Sequence, residues 1–201
     1  MNDEISSQAN YHLAAQKIPV YAHLRQTVEQ CYWAAGSRAI DVGCGAGRDS
    51  RYLLEQGFVV HAFDQDANAL AHLQDLNAHP RLKVHQSSFD AFDYPQADLI
   101  TACSSLFFCP PQVFPAVWQK IVHALRPNGV FCGHFMGPED SWAQLQPNDL
   151  SVHEYEQVEQ LMRGFEVLDV YEHNQPGQTL LGKRKHWHSW SVLARKTDRC
   201  G

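Results

Sequence analysis

Three glycines and two acids carry the most legible chemistry of this 201-residue chain. Residues 38 to 48 read Arg-Ala-Ile-Asp-Val-Gly-Cys-Gly-Ala-Gly-Arg, with Gly43, Gly45 and Gly47 alternating with Cys44 and Ala46. Glycines so spaced force a tight turn that no side chain obstructs, so backbone can close on a ligand. At the start of a helix, the exposed N–H groups and dipole of such a turn favour a carboxylate or phosphate. Asp41 lies two residues before the first glycine. Asp64 follows roughly 20 residues on, where the second strand of a βαβ unit delivers a carboxylate to a ribose diol.

The elements that must position these groups alternate along the chain. Ala39 to Val42 have the apolar profile of a buried strand, and Ala46, Ser50, Leu53 and Leu54 then fall on one helical face. This helix is expected to end near Gln56 and Gly57. The apolar run from Phe58 to Phe63 predicts a second strand ending at Asp64, followed by a helix from about Asp66 to Leu76. Strands are expected at about Leu82 to Gln86 and at Ala97 to Cys103. Pro115 permits a helix from its own position onward, with Val117, Trp118, Ile121 and Leu125 as its stripe. Arg126-Pro127-Asn128-Gly129 reads as a turn into a fifth strand, Val130 to Phe135. A less regular stretch, Gly137 to Leu150, precedes Ser151-x-x-Glu154, which reads as a capping box opening a helix. Two closing strands, Phe165 to Glu172 and His186 to Arg195, are joined by a polar loop holding Pro176, Gly177 and Gly182. With a helical region at about residues 8 to 34, the whole chain reads as one α/β domain built on an open parallel sheet.

The glycine spacing narrows the ligand. A dinucleotide fingerprint wants Gly-x-Gly-x-x-Gly, but position 48 is Arg and the third glycine comes early, at Gly47. With Asp41 inside the strand, the pattern resembles motif I of the class I S-adenosylmethionine (SAM)-dependent methyltransferases. The runs Asp-Val-Gly-Cys-Gly-Ala-Gly-Arg-Asp-Ser, Gly-His-Phe-Met-Gly-Pro-Glu-Asp-Ser-Trp and Lys-His-Trp-His-Ser-Trp-Ser-Val-Leu-Ala-Arg-Lys are similar to the small TehB-like methyltransferases of tellurite resistance. The resemblance implies a Rossmann-like sheet of order 3-2-1-4-5-7-6, strand 7 antiparallel, with helices on both faces. It implies SAM as donor and S-adenosylhomocysteine as product.

The resemblance also distributes roles. Gly43, Cys44, Gly45 and Gly47 are implied to present backbone to the methionine end of SAM, with Asp41 ordering its ammonium. Asp64 is implied to take the ribose hydroxyls and Gln65 to flank the adenine. Ser88 and Phe89 fall where the family usually has an acid and an apolar residue at the adenine edge, so Ser88 is a departure. Cys103 lies at the end of the fourth strand, where backbone carbonyls approach the methionine group. Arg48 has two readings, a partner for the SAM carboxylate or a helix residue bonded to Asp49. Tyr11 or a neighbour is a candidate lid.

In an open α/β sheet the ligand sits beyond the carboxyl ends of the parallel strands. An antiparallel last strand starts at that edge, which brings Lys185, His186 and His188 toward the acceptor, together with His134 and Asp140. His186 and His188 share a strand face. Either acts as base or anchors an anionic acceptor, or both are hydrogen-bonded structural residues; Trp187, on the other face, reads as core. The implied acceptor is a small soft or anionic molecule, such as a chalcogen oxyanion or a thiol. An NAD-dependent Rossmann oxidoreductase and a non-catalytic SAM-binding module stand as alternatives.

Composition sets the remaining expectations. A net charge of −6 argues against a nucleic-acid substrate. A mean hydropathy of −0.38 and short apolar runs give no membrane span, and the polar N-terminus is unlike a signal peptide, so the expected compartment is the cytoplasm. Six cysteines show no C-x-x-C pair and no zinc spacing, and the twelve histidines are scattered, so no metal is expected. Oligomeric state is not written in these residues.

Overall fold

The computed structural model describes residues 11, 14–146 and 148–197. Seven strands form one sheet in the order β3-β2-β1-β4-β5-β7-β6: β1 Arg38–Val42, β2 Val59–Asp64, β3 Leu82–Gln86, β4 Ala97–Ala102, β5 Leu125–Met136, β6 Phe165–Gln178 and β7 Arg184–Lys196. β1 to β5 pair in parallel, whereas β7 runs antiparallel to both β5 and β6. The helices are α1 Ala22–Gln30, α2 Arg48–Glu55, α3 Ala67–Ala71, α4 Phe114–Ala124, α5 Ser141–Leu145 and α6 Tyr155–Leu161.

Strand alternation divides the core in two. Ile40, Val42, Ile100, Phe131 and Phe135 pack on one face with Val117, Trp118 and Ile121 of α4. Ala39, Val60, Leu99, Val130 and Cys132 pack on the other with Leu24 and Val28 of α1 and Leu53 and Leu54 of α2. The central strands β1, β4 and β5 bury residues on both sides, the pattern of a sheet covered on both faces, whereas the edge strand β6 buries none. Asp41 has the parity of Ala39, so it points to the α2 side.

The structure departs from the sequence expectations at five places, each with a local cause. The helix expected from Asp66 to Leu76 stops at Ala71, and a 3-10 turn covers Gln74–Leu76. The turn tightens at that point, the His72 N–H donating to the Ala69 carbonyl at 3.1 Å and the Leu73 N–H to the Leu70 carbonyl at 2.9 Å, while the His72 carbonyl takes the Arg51 guanidinium at 2.7 Å. The capping box shifts three residues on, with the Glu154 N–H donating to Gln157 Oε1 at 2.8 Å. Ser151 is held elsewhere, its hydroxyl donating to the Cys109 carbonyl at 2.7 Å.

The Arg126–Gly129 turn is absorbed into the head of β5. Asn128 adopts a φ of 62°, and the register against β4 shifts between Ala97 and Leu99. The polar loop expected between the last two strands shrinks to residues 179–183, because β6 and β7 stay paired out to Gln178↔Arg184. Pro176 is tolerated in this ladder because β6 is the sheet edge, where a missing N–H breaks no central bond. Near the N-terminus, α1 begins only at Ala22; residues 14–17 are helical and residues 18–21 are not. The first part of the expected helical region lies outside the described residues.

Candidate functional site

The glycine turn follows β1 directly and opens α2. Gly47 is the N-cap, with a φ of 82°, in the left-handed region that side chains avoid. A Cβ there would stand 2.1 Å from Leu73 Cδ2, so the early third glycine is a close-packing contact. Gly45, with a φ of 53°, differs: nothing lies within 4 Å of where its Cβ would be. That side of the turn faces open space, room for a ligand to lie against backbone.

Asp64, at the end of β2, is tied to this turn. One carboxylate oxygen accepts from the Gly45 N–H at 2.9 Å and the other from the Asp66 N–H at 2.9 Å. Asp41 is 3% exposed and accepts from the Ser50 hydroxyl at 2.6 Å. Burial, reinforced by the neighbouring Asp49 carboxylate, pushes the Asp41 carboxyl up to about 7. Arg48 forms a bidentate pair with Asp49, at 2.6 and 3.0 Å, and its guanidinium lies 4.3 Å from the centre of the Tyr21 ring. Of its two expected roles, the contact present is the one with Asp49.

A cavity of two adjoining lobes meets at Gly43 and Gly45. The smaller, about 230 Å³, is lined by Asp64, Gln65, Ser88 and Phe89 among others. Ser88 donates to Asp90 at 2.7 Å, and Phe89 packs edge-on against Phe63. The larger lobe, about 530 Å³, is lined by Asp41, Gly43, Cys44, Gly45, Arg48 and Cys103, and on its far wall by Trp142, Lys183, Arg184, Lys185 and Trp187. Tyr11 lines both lobes. The expected residues of the glycine turn and of the next two strand ends thus converge on one cavity; Gly47 packs behind it.

The two histidines expected at the acceptor do not line either lobe. His186 is half-buried, hydrogen-bonded through Nε2 to Asn174 Oδ1 at 2.6 Å. His188 is 3% exposed, its Nδ1 accepting from the Glu139 N–H at 3.0 Å and its ring packed on Gly137. Trp187, read as core from the sequence, instead forms cavity wall. Alternation along β7 puts Lys185 and Trp187 on the cavity side. The Lys185 ammonium stands 4.2 and 4.1 Å from the ring centres of Trp142 and Trp187 and is ion-paired with buried Asp140. The signal for this pair was the Lys-x-Trp alternation in β7. Asp140 also caps α5, accepting from the Trp142 N–H at 2.9 Å. His134 accepts from the Ser104 N–H at 3.0 Å, and burial holds its imidazole well below the usual range, hence neutral.

A family model described as a methyltransferase domain matches residues 39–129, from β1 into the head of β5. The match covers that segment of the chain, and the whole sheet, its order and antiparallel β7 included, has the class I methyltransferase fold.

Several solved structures share the fold. TehB from Haemophilus influenzae is 17% identical with a TM-score of 0.72, covering 89% of this chain and 63% of that one. The present chain therefore spans less than two thirds of TehB. A SAM-dependent methyltransferase from Methanosarcina mazei is 15% identical, TM-score 0.66, over 90% of this chain and 99% of its own. The 1,6-didemethyltoxoflavin-N1-methyltransferase of Burkholderia thailandensis, solved with 1,6-didemethyltoxoflavin and S-adenosylhomocysteine, is 21% identical, TM-score 0.64, over 98% and 87%. No curated protein sequence matches the chain. Among the described residues, no helix is long and apolar enough to cross a membrane.

Proposed function

We propose that the chain binds SAM across the glycine turn and transfers its methyl group to a small anionic acceptor held in the larger lobe. The observation that carries this reading is the junction of the two lobes at Gly43 and Gly45, with Asp64 in one and Lys185 in the other. The residues fit the donor. Open space in front of Gly45 admits a ligand against backbone, and Asp64 keeps acceptor capacity for ribose hydroxyls beyond its two backbone contacts. Gln65, Ser88 and Phe89 serve the adenine; Asp41 serves the ammonium through its ionised form.

Bound SAM supplies an activated methyl on a positively charged sulfur. The chain's own tasks are to hold the acceptor in line with that methyl and to keep water out. Trp142, Trp187 and Phe107 provide a dry wall, and Lys183, Arg184 and Lys185 provide the positive charge that selects an anion. Room beside these cations for an apolar body favours an organic anion, a carboxylate, phenolate or thiolate. A bare chalcogen oxyanion, which the TehB-like sequence resemblance implies, is the second reading. With His186 and His188 outside the cavity lining, the anchoring role passes to Lys185. A cytoplasmic setting and a small-molecule acceptor, with no nucleic acid and no membrane, complete the proposal.

The test is methyl transfer from labelled SAM onto a panel of thiols, phenols, carboxylates and oxyanions. Labelled product from an organic anion supports the reading. Transfer only to selenite or tellurite moves it to the second, and S-adenosylhomocysteine binding with transfer to none moves it to a non-catalytic module.

A further inference from the structure

A separate grouping lies on the α1 face of the sheet. Thr101 and Cys103 at the end of β4 share the face that Cys132 and His134 present from β5, as their common parity with Leu99 and Val130 requires. α1 lays His23 over them. Cys103 Sγ, Cys132 Sγ and a ring nitrogen of His23 lie within 4.8 Å of one another. The Cys103 Sγ to His23 Nε2 distance is 3.5 Å. Cys132 is fully buried, while His23 and Cys103 are half-buried.

Two sulfurs and an imidazole are the donor set of thiophilic cations, and three protein ligands with one open position is a familiar zinc arrangement. Their positions, 23, 103 and 132, have none of the short spacings of a metal motif; three separate elements bring them together. Access exists, since His23 and His134 line a cavity of about 660 Å³ next to the larger lobe. The His134 ring is 4.4 Å from that of His23, and its Nδ1 is taken by the Ser104 N–H. It therefore stands beside the cluster with Nε2 protonated in the neutral form.

We infer that Cys103, Cys132 and His23 form a binding site for a thiophilic divalent cation of the zinc and cadmium class, its fourth position open toward the histidine-lined cavity. As two metal–sulfur bonds form, the two thiol protons leave to solvent, so no oxidant is needed and occupancy rises with pH. The inference is independent of the methyl acceptor. Cys103 also lines the larger lobe, so a bound ion would sit at the edge of the proposed SAM site.

The experiment is titration of the full, reduced, chelator-stripped protein with cadmium, read by thiolate-to-metal charge-transfer absorbance, and with zinc in competition with a chromophoric chelator. One equivalent is expected. Cys103→Ser and Cys132→Ser should each weaken binding by more than the roughly 10–100-fold typical of losing an outer partner, and Cys109→Ser should leave it unchanged. Because the buried Cys132 variant risks misfolding, zinc X-ray absorption on the unmodified protein supplies a second readout: a shell with two sulfurs and at least one imidazole nitrogen. Absence of stoichiometric binding, a shell of oxygen and nitrogen only, or undiminished binding in folded Cys103→Ser overturns the site.

Discussion

Lys185 and Asp140 form an ion pair closed off from solvent, with side chains 1% and 2% exposed. Asp140 also accepts from the N–H groups of Trp142 and His188, at 2.9 and 3.1 Å. One carboxylate therefore fixes the cap of α5, a backbone position of β7 and the ammonium that stands over both Trp142 and Trp187. Burial pushes the Lys185 ammonium below its usual range, against the pull of Asp140.

Removing either partner should have different results. Asp140→Ala strands a buried ammonium and two N–H donors and should cost about 3–5 kcal/mol, read by urea unfolding. Lys185→Met leaves Asp140 with its two backbone donors. It should lose less stability, raise KM for an anionic acceptor at least about tenfold, and leave S-adenosylhomocysteine affinity within about twofold.

Asp41 sets a pH dependence. Its folded carboxyl titrates at about 7 instead of 3.8, so the folded state holds a proton that the unfolded chain gives up. Its contribution to stability is complete below about pH 4, falls as pH rises toward 7, and is flat above. Asp41→Asn should remove that slope, measured as unfolding midpoints between about pH 4 and 8. If the ionised carboxylate receives the SAM ammonium, S-adenosylhomocysteine affinity should rise by up to about tenfold per pH unit below 7, and the rise should vanish in Asp41→Asn.

The glycines should separate stability from binding. Gly47→Ala meets Leu73 at 2.1 Å with a φ of 82°, and should cost about 1–3 kcal/mol. Gly45→Ala meets open space; beyond roughly 1–2 kcal/mol of backbone strain its main effect should be lost S-adenosylhomocysteine affinity. Urea midpoints and calorimetry on both variants compare the two.

His186 and Trp142 should reverse the ranking that the sequence suggests. His186→Ala, which removes a ring bonded to Asn174 outside both lobes, should change methyl transfer by less than about twofold. Trp142→Ala opens the wall beside Lys185 and should lower kcat/KM by about tenfold or more. Initial rates with one acceptor from the panel decide between them.

How much was legible follows from which interactions are local. The turn, Asp64 and the strand–helix alternation were readable because a strand, its glycines and the next strand end are set by short-range patterning. The end of α3 at Ala71 was not, because the tightened turn after it is packed and bonded by a distant segment, Gly47 against Leu73 and Arg51 on the His72 carbonyl. β6 ran past Pro176 because edge position, a property of the whole sheet, made the proline harmless. His186 and His188 drew attention as titratable groups on a common face, but Ser141 and Asp140 hold the β7 backbone at 2.9 and 3.1 Å, and the lobe receives the alternate pair, Lys185 and Trp187. The approach of His23 to Cys103 and Cys132 depends on how α1 crosses the sheet, which no spacing encodes.

The most direct test is calorimetric titration of the protein and of Asp64→Ala with S-adenosylhomocysteine, with NADH as control. One molecule should bind per chain, NADH should not bind, and Asp64→Ala should bind at least about tenfold more weakly. No binding of S-adenosylhomocysteine, or equal affinity in the folded variant, would contradict a donor site built on the glycine turn and Asp64.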